Sequence, residues 1–392
     1  MEQFDSIICI GQTHWKGDFQ KAVVQLMSEL SVRHRVLYVD YQNTVKDLAM
    51  GLIGRLDVPV QQLTRLKNPL VKTSLENGSE VYVWTPPLVL PVNWLPDGPH
   101  DFLMRYNTGR IVSGLRSVMR ELGIKKPLVV NAFNPVLGVS MLHKLNEWAT
   151  IYYCFDEITA ATWISRHGKR YESAYLKKVD AIVTTSETLR MAKSLAQPNT
   201  YCVKNGVNFD LFHQARQLAE AQPPTRPIVG YLGTADNRID LDLVAYCVQS
   251  LPDILFQFVG EVNDPAITHR LGAYPNVEFI PPHQPADLPA FLAKMTVAMI
   301  PFVCNEHTYT IYPLKINEYL AAGLPVVSTP FSVLDDFNGV VELASSPAEF
   351  ARALRHAFTD YAPDRIHQRV AMAKSNSWTK RAEEFEWVID QL

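Results

Sequence analysis

Lys315 and Glu318 stand three residues apart in a stretch that runs from Tyr312 and Pro313 through Leu314 to Gly323, Pro325, Val326 and Val327. It reads as a helix start, an amphipathic helix, a glycine stop and a buried strand. Pro313 suits the first helical turn, Gly323 the C-terminal cap, and Pro325 a point where a helix cannot continue. Both charged residues then fall in the first turn and a half, beside unpaired backbone N–H groups and the positive end of the helix dipole. A cation, several free amides and one carboxylate at a helix mouth suit a nucleoside diphosphate. Lys315 and the amides, that of Leu314 among them, meet phosphate oxygens, and Glu318 accepts from sugar hydroxyls. The plainer reading is an ordinary αβ unit with both side chains solvated.

The elements around this helix are of one kind. Short β-rich apolar runs at 6–10, 35–39, 81–84, 128–130, 150–154, 181–184 and 201–203 alternate with helix-length segments, the first of them an amphipathic helix over 18–30. That pattern indicates βαβ units and a mainly parallel sheet. The alternation restarts at 228–232 and continues through 255–259, 277–280, 297–300 and 325–327. The chain is therefore expected to be α/β, with two doubly wound domains: an N-terminal domain over 1–207, a linker over 208–226 that includes a polar helical stretch at 211–220, and a second domain over 227–375. A closing amphipathic helix occupies 376–392. Ligands of such domains bind at the carboxyl ends of the strands, which predicts a cleft between two facing sheets. Residues 42–110 are the least regular part, with an apolar helical face at 45–56 and a Pro-rich apolar loop at 86–94 that suit either an acceptor-binding insertion, an interfacial membrane patch or plain packing on the sheet.

At 392 residues the chain is long enough for two cores, and 47% hydrophobic with 20% charged residues is the balance of a globular protein. Five widely spaced cysteines read as reduced core residues, not as a disulfide framework or zinc site. The start lacks a basic n-region, and no apolar run approaches the roughly 20 residues of a bilayer span, so the expected location is cytoplasmic. Residues 1–207 carry 24 Lys+Arg against 18 Asp+Glu (+6) and the remainder 13 against 22 (−9), which together give the net −3. A basic first half admits an anionic partner, either a phosphorylated acceptor or an anionic membrane surface. No basic stripe with interleaved aromatics is present, which argues against nucleic acid.

Several motifs then combine. The loop Gly11, Gln12, Thr13, His14 and Trp15, the Thr185-Ser186-Glu187 triplet, the turn Asn205-Gly206-Val207-Asn208 with Phe212, and the segment from Pro313 to Ser328 occur in order along nearly the whole chain. They resemble the nucleotide-sugar glycosyltransferases of the two-domain B-type (GT-B) fold, family 4-like, in the branch of bacterial exopolysaccharide enzymes similar to xanthan glucuronosyltransferase. Two departures stand out. Where many relatives carry Glu-x7-Glu, the first position here is Thr310, so Tyr309, Thr310 or Tyr312 would have to supply its contact through a hydroxyl. Many relatives also have an Arg and a Lys after the first strand of the second domain. Here Arg238 stands alone, with Lys315 as the second charge.

The resemblance implies transfer of a sugar from a UDP- or GDP-sugar to a hydroxyl of a glycan, lipid-linked and at the inner membrane face, with no cofactor. Arg238, Lys315 and the helix-mouth amides stabilise the leaving diphosphate without metal, and Gly233 lets the backbone approach it. Asp156, after the strand at 150–154, matches the general base of inverting relatives; in retaining relatives a His at this place touches the donor sugar. Neighbouring Glu157 and an apolar wall of Tyr153, Phe155 and Trp163 would raise its pKa. Its other reading is a helix N-cap. Gly11, His14, Asn134 and Glu157 are expected at the acceptor or sugar, with Asn131 a weaker candidate, and the closing helix is expected to cross back to the first domain. Asp240-Leu241-Asp242 imitates a metal-binding Asp-x-Asp but opens a helix, where Asp caps. A nucleotide-sugar 2-epimerase of the same fold and a non-catalytic sugar-nucleotide-binding protein are the alternatives.

Overall fold

In the computed structural model residues 3–17, 21–159, 164–224 and 226–392 are described. The chain divides into two compact units, Met1–Val203 with Ala382–Leu392, and Lys204–Arg381.

The first unit is built on an eight-stranded sheet: β1 (Ile7–Ile10), β2 (Val36–Val39), β3 (Leu70–Ser74), β4 (Glu80–Trp84), β5 (Leu128–Ala132), β6 (Ala149–Cys154), β7 (Ala181–Thr184) and β8 (Thr200–Cys202). Their order is β3-β4-β2-β1-β5-β6-β7-β8, parallel except where β3 runs antiparallel to β4 at one edge. The central strands are buried along their whole length because helices cover both faces, and a continuous Val/Ile/Leu run can be satisfied only there. β3, with Lys72 and Ser74 among exposed positions, is the polar edge strand that such a sheet tolerates. It was not expected, because a mixed run such as Leu-Val-Lys-Thr-Ser carries no strong alternation. The irregular region also contains the long helix Asp97–Leu122, whose Ile111, Val112 and Leu115 enter the core.

The second unit carries β9 (Ile228–Leu232), β10 (Leu255–Val259), β11 (Val277–Ile280), β12 (Val297–Ile300), β13 (Val326–Ser328) and β14 (Val341–Leu343), all parallel in the order β11-β10-β9-β12-β13-β14. The order reverses between β9 and β12, so the chain leaves these neighbours in opposite directions and opens a crevice at their carboxyl ends. The two sheets are the expected α/β architecture.

Three local differences have physical causes. The polar helix read at 211–220 within the 208–226 linker spans Phe209–Ala221 and belongs to the second unit, because Phe212 and Ala215 give it an apolar stripe that this unit's core absorbs. Pro313 precedes its helix as the cap residue (φ −78, ψ 114) and Leu314 is the first helical residue. The first helix is Ala22–Leu30; residues 18–20, the expected beginning, lie outside the described residues. At the other end, helix Trp378–Asp390 sends Phe385 against Tyr153 and Trp387 against Tyr201, and Glu386 pairs with Arg33 and His34.

Where β9 and β10 end, two glycines meet. Gly233 (φ +114) donates its N–H to the Val259 carbonyl at 2.8 Å, and a Cβ on Gly260 (φ +140) would lie 2.5 Å from the Gly233 carbonyl oxygen. At Gly260 a side chain would require the backbone to move, and at Gly233 it would be strained by the positive φ and would displace the Lys315 stem. Gly260→Ala is therefore expected to destabilise the second unit by roughly 1–3 kcal/mol, read as a lowered urea midpoint.

Candidate functional site

The carboxyl ends of β9 and β12 assemble the second unit's charged group. Helix Leu314–Ala321 begins without a side-chain cap, so its first-turn amides, starting with Leu314, have no capping partner from Pro313. Tyr319 fixes the helix to the sheet: its buried hydroxyl accepts from the Leu232 N–H at 2.8 Å. One turn earlier, Lys315 lies along the bare side of Gly233, its Cε 2.7 Å from where a Cβ would stand. The space left bare by Gly233 is thus taken up by the lysine stem. The ammonium sits 5.4 Å from the Tyr231 ring centre and 5.8 Å from that of Phe302. Arg238 shares the Phe302 ring at 5.4 Å and is held by Asp236 through two hydrogen bonds of 2.8 and 2.6 Å.

Burial sets the protonation of this group. It pushes Lys315 down to about 8, helped by repulsion from Arg238 and opposed by Glu318 and Asp236. It pushes Glu318 up to about 7, opposed by Lys315. For Asp236 burial acts upward, but the Arg238 hydrogen bonds outweigh it and the carboxyl lies below its ordinary range. Two cations, one fixed by a carboxylate, and a helix start converge on one strand end. Such a group can bind an anion with a polar neighbour.

The other expected donor residues lie differently. Tyr312 is buried, with its ring 5.8 Å from that of Phe337 and under the Lys204 ammonium, so the side chain belongs to the core and only its backbone continues toward Leu314. Thr310 donates its hydroxyl to the His307 carbonyl at 2.8 Å, and Tyr309 is exposed. Asp240 caps helix Leu241–Ser250 by accepting from Leu243, and Asp242 pairs with Arg270; this is the capping role expected of the Asp-x-Asp decoy.

In the first unit, Gly11, His14 and Asn134 are joined through residues the sequence did not single out. His14 Nδ1 lies 3.3 Å from Asp40, whose other oxygen accepts the Trp15 N–H at 2.8 Å. Gln42 donates to the Gly11 carbonyl and accepts from the Asn134 amide at 2.8 Å, while Asn134 also caps helix Pro135–Met141 and Asn131 buttresses it. Beside them is a cavity of about 420 Å³, with His14, Lys16, Lys21, Asp40 and Asp57 as polar lining and Trp15, Val58, Pro59, Val71 and Val83 as apolar walls.

Asp156 follows β6 and accepts the Glu157 N–H at 2.8 Å; the next described helix, Ser165–Leu176, begins well beyond it, so it is no N-cap there. Trp163 of the expected wall lies outside the described residues. Glu157 is engaged inward. Lys193 donates to it at 3.1 Å and to buried Glu172 at 2.8 Å, and Glu172 also accepts from the Tyr152 hydroxyl at 3.0 Å. Burial acts to lower the Lys193 pKa, but Cys154 and the two carboxylates outweigh it and hold the ammonium above its ordinary value. Glu157 thus shares a buried lysine with Glu172.

Against known proteins, the family model described as "Glycosyl transferases group 1" matches residues 226–360, the sheet that carries Gly233, Arg238, Lys315 and Glu318. Among solved structures, α,α-trehalose 6-phosphate synthase from Burkholderia multivorans superposes with a TM-score of 0.69 at 11% identity, covering 99% of this chain and 98% of that one. Anabaena HepE in complex with UDP and glucose gives 0.66 at 13% identity, over 99% and 100%. The chain has the GT-B fold. A curated relative, the "Putative teichuronic acid biosynthesis glycosyltransferase TuaH" of Bacillus subtilis (strain 168), is 25% identical over 211 residues, 49% of this chain. The match spans about half of that relative's length (53%).

In the GT-B chain's second unit, Lys315 and Glu318 make a pH-dependent demand on stability. A half-buried acid whose folded pKa is raised from 4.5 to about 7 loses stability as pH climbs through that window. A buried base lowered from 10.5 to about 8 regains it as pH climbs from 8 to 10.5. Their joint contribution is lowest between about 7 and 8, where both carry charge. The double variant Lys315→Met/Glu318→Gln should melt a few degrees above wild type at neutral pH, with the gap narrowing at pH 5 in calorimetry.

Proposed function

We propose that the chain is a glycosyltransferase that moves a sugar from a nucleotide-sugar donor to a hydroxyl of a glycan acceptor in surface or exopolysaccharide synthesis. The observation that carries this reading is the meeting of Lys315, Arg238 and the start of helix Leu314–Ala321 beside Gly233, within a glycosyl transferases group 1 domain. Glu318, one turn on, accepts from donor hydroxyls. UDP is the favoured nucleotide, since HepE is a structural neighbour solved with UDP and glucose and with UDP-glucose. The teichuronic acid relative supports a cell-surface polymer, and a lipid-linked acceptor fits the basic first half.

In the transfer, the acceptor oxygen bonds to the anomeric carbon as the bond from that carbon to the diphosphate oxygen breaks. The electron pair leaves with the nucleoside diphosphate, where Lys315, Arg238 and the helix amides meet the growing charge. The acceptor proton passes to Asp156, and the product anomer is inverted. The cavity lined by His14, Trp15 and Asp40, with apolar walls for a sugar face and a polar rim for hydroxyls, receives the acceptor sugar.

Thermal-shift screening against UDP, GDP and their sugar conjugates tests the donor site. A ligand at about 100 times its dissociation constant adds roughly 2.7 kcal/mol of stability, and Lys315→Ala should abolish the shift. Nucleotide affinity should fall above pH about 8 as Lys315 loses its proton, and Lys315→Arg should move that loss upward. Asp156→Asn should lower turnover by roughly 10²–10⁴-fold and leave the donor shift intact. Unchanged turnover, or a retained anomer by NMR, would remove Asp156 from the base role.

A further inference from the structure

The triplet Thr185-Ser186-Glu187 leads from the end of β7 into helix Glu187–Ser194. Ser186 caps that helix by accepting the Leu189 N–H at 3.3 Å. Thr185 reaches across to the end of the paired strand β6, where its buried hydroxyl donates to the Phe155 carbonyl at 3.1 Å. Near the far end of the same helix, Lys193 donates to Glu157 at 3.1 Å. One short segment thus grips both the residue before Asp156 and the residue after it.

The grip on Glu157 reaches the Asp156 side chain. The Glu157 N–H donates to Asp156 Oδ1 at 2.8 Å, so the orientation of that peptide decides where the carboxylate points. The Cys154 thiol donates to the Asp156 carbonyl at 3.4 Å, a further hold on the same backbone. Thr159 donates its hydroxyl to Glu157 at 3.2 Å, so the Glu157 carboxylate ties the turn to itself as well as to the helix.

Lys193 is itself held in place. It is 5% exposed, and its second bond, of 2.8 Å, goes to Glu172, equally buried on helix Ser165–Leu176. The Tyr152 hydroxyl donates to the other Glu172 oxygen at 3.0 Å. Apolar side chains of similar volume would hold the two helices and the sheet together at least as well, because desolvation offsets most of the attraction between buried charges. They could not send a directed hydrogen bond to Glu157. The arrangement supplies direction, not stability.

We infer that Lys193, seated by Glu172 and Tyr152, is a positioning residue for sugar transfer: through Glu157 it orients the Asp156 carboxylate toward the acceptor hydroxyl, while Thr185 fixes the other flank. The inference rests on the reading of Asp156 as the base and deepens it. Lys193→Met/Glu172→Gln removes the ammonium together with the carboxylate it would otherwise strand, and Thr185→Val tests the other flank at similar volume. Amide exchange followed by NMR needs no substrate. In the double variant the Glu157 N–H should exchange roughly tenfold faster, while those of Tyr152 and Val183 in the strands keep their protection. UDP release from UDP-glucose, with water as the acceptor whose proton passes to Asp156, gives the kinetic readout. Both Lys193→Met/Glu172→Gln and Thr185→Val should lower kcat roughly 10- to 100-fold at an unchanged donor KM. Introduced into Asp156→Asn, neither should lower the residual rate further. Unchanged exchange at Glu157 in the folded double variant, unchanged kcat, or an equal further fall in Asp156→Asn would overturn the inference and leave the base role standing. Wild-type UDP release by Asp156→Asn would remove the base reading and this inference with it.

Discussion

Lys315 can lie where it does only because the strand end beside it carries no side chain. Gly233 leaves the volume that the lysine stem fills, and Gly260 lets the neighbouring strand end come close enough to hold Gly233 in place. The ring faces of Tyr231 and Phe302 then offer the ammonium a partner that is weaker than a carboxylate. That is the useful feature. A lysine already satisfied by a salt bridge would have to give it up to meet a phosphate. Arg238 is the contrasting case, bound to Asp236 at two points and therefore fixed in direction. One cation is aimed and the other is left hungry for charge, a division that suits a site whose ligand grows more negative as a reaction proceeds.

The first unit solves a different problem. Asp156 and Glu157 are adjacent acids at one strand end, but their side chains are engaged differently. Lys193 engages Glu157 and, more deeply, Glu172. An ion pair this deep is a poor source of stability, since desolvation consumes most of its attraction. It does fix the direction of Glu157. The same economy appears at His14, where Asp40 holds both the imidazole and the Trp15 amide and so orders the loop that walls the cavity.

The strands that bury both faces were legible because a parallel sheet demands short apolar runs, as in β1, β9 and β12. Lys315 and Glu318 were legible because proline, glycine and a second proline bracket their helix in sequence. What escaped was whatever depends on distant partners or on weak patterns. Tyr312 was read as a hydroxyl facing a ligand, yet the aromatic group of Phe337 and the core around it claim its ring. Glu157 was read as a sugar contact, and the lysine that engages it lies 36 residues away. Asp236, two residues before Arg238, was in plain view but carried no spacing to distinguish it from any loop acid. The polar helix at 211–220 was legible, but its place in the second unit's core was not, because few apolar residues, Phe212 and Ala215 the most buried of them, attach it there.

The division of the chain also has a consequence for the order of its making. Residues Ala382–Leu392 are counted with the first unit, where Phe385 meets Tyr153, Trp387 meets Tyr201 and Glu386 meets Arg33 and His34. The whole of the second unit is therefore an insertion within the first, in the sense of sequence. As the polypeptide leaves the ribosome, the second unit has all its strands before the first has its last helix. A nascent first unit must wait with the faces of Tyr153 and Tyr201 uncovered for the entire time that residues 204–381 are being translated. The unit begun first is the one completed last, and its unfinished surface is what chaperones would meet.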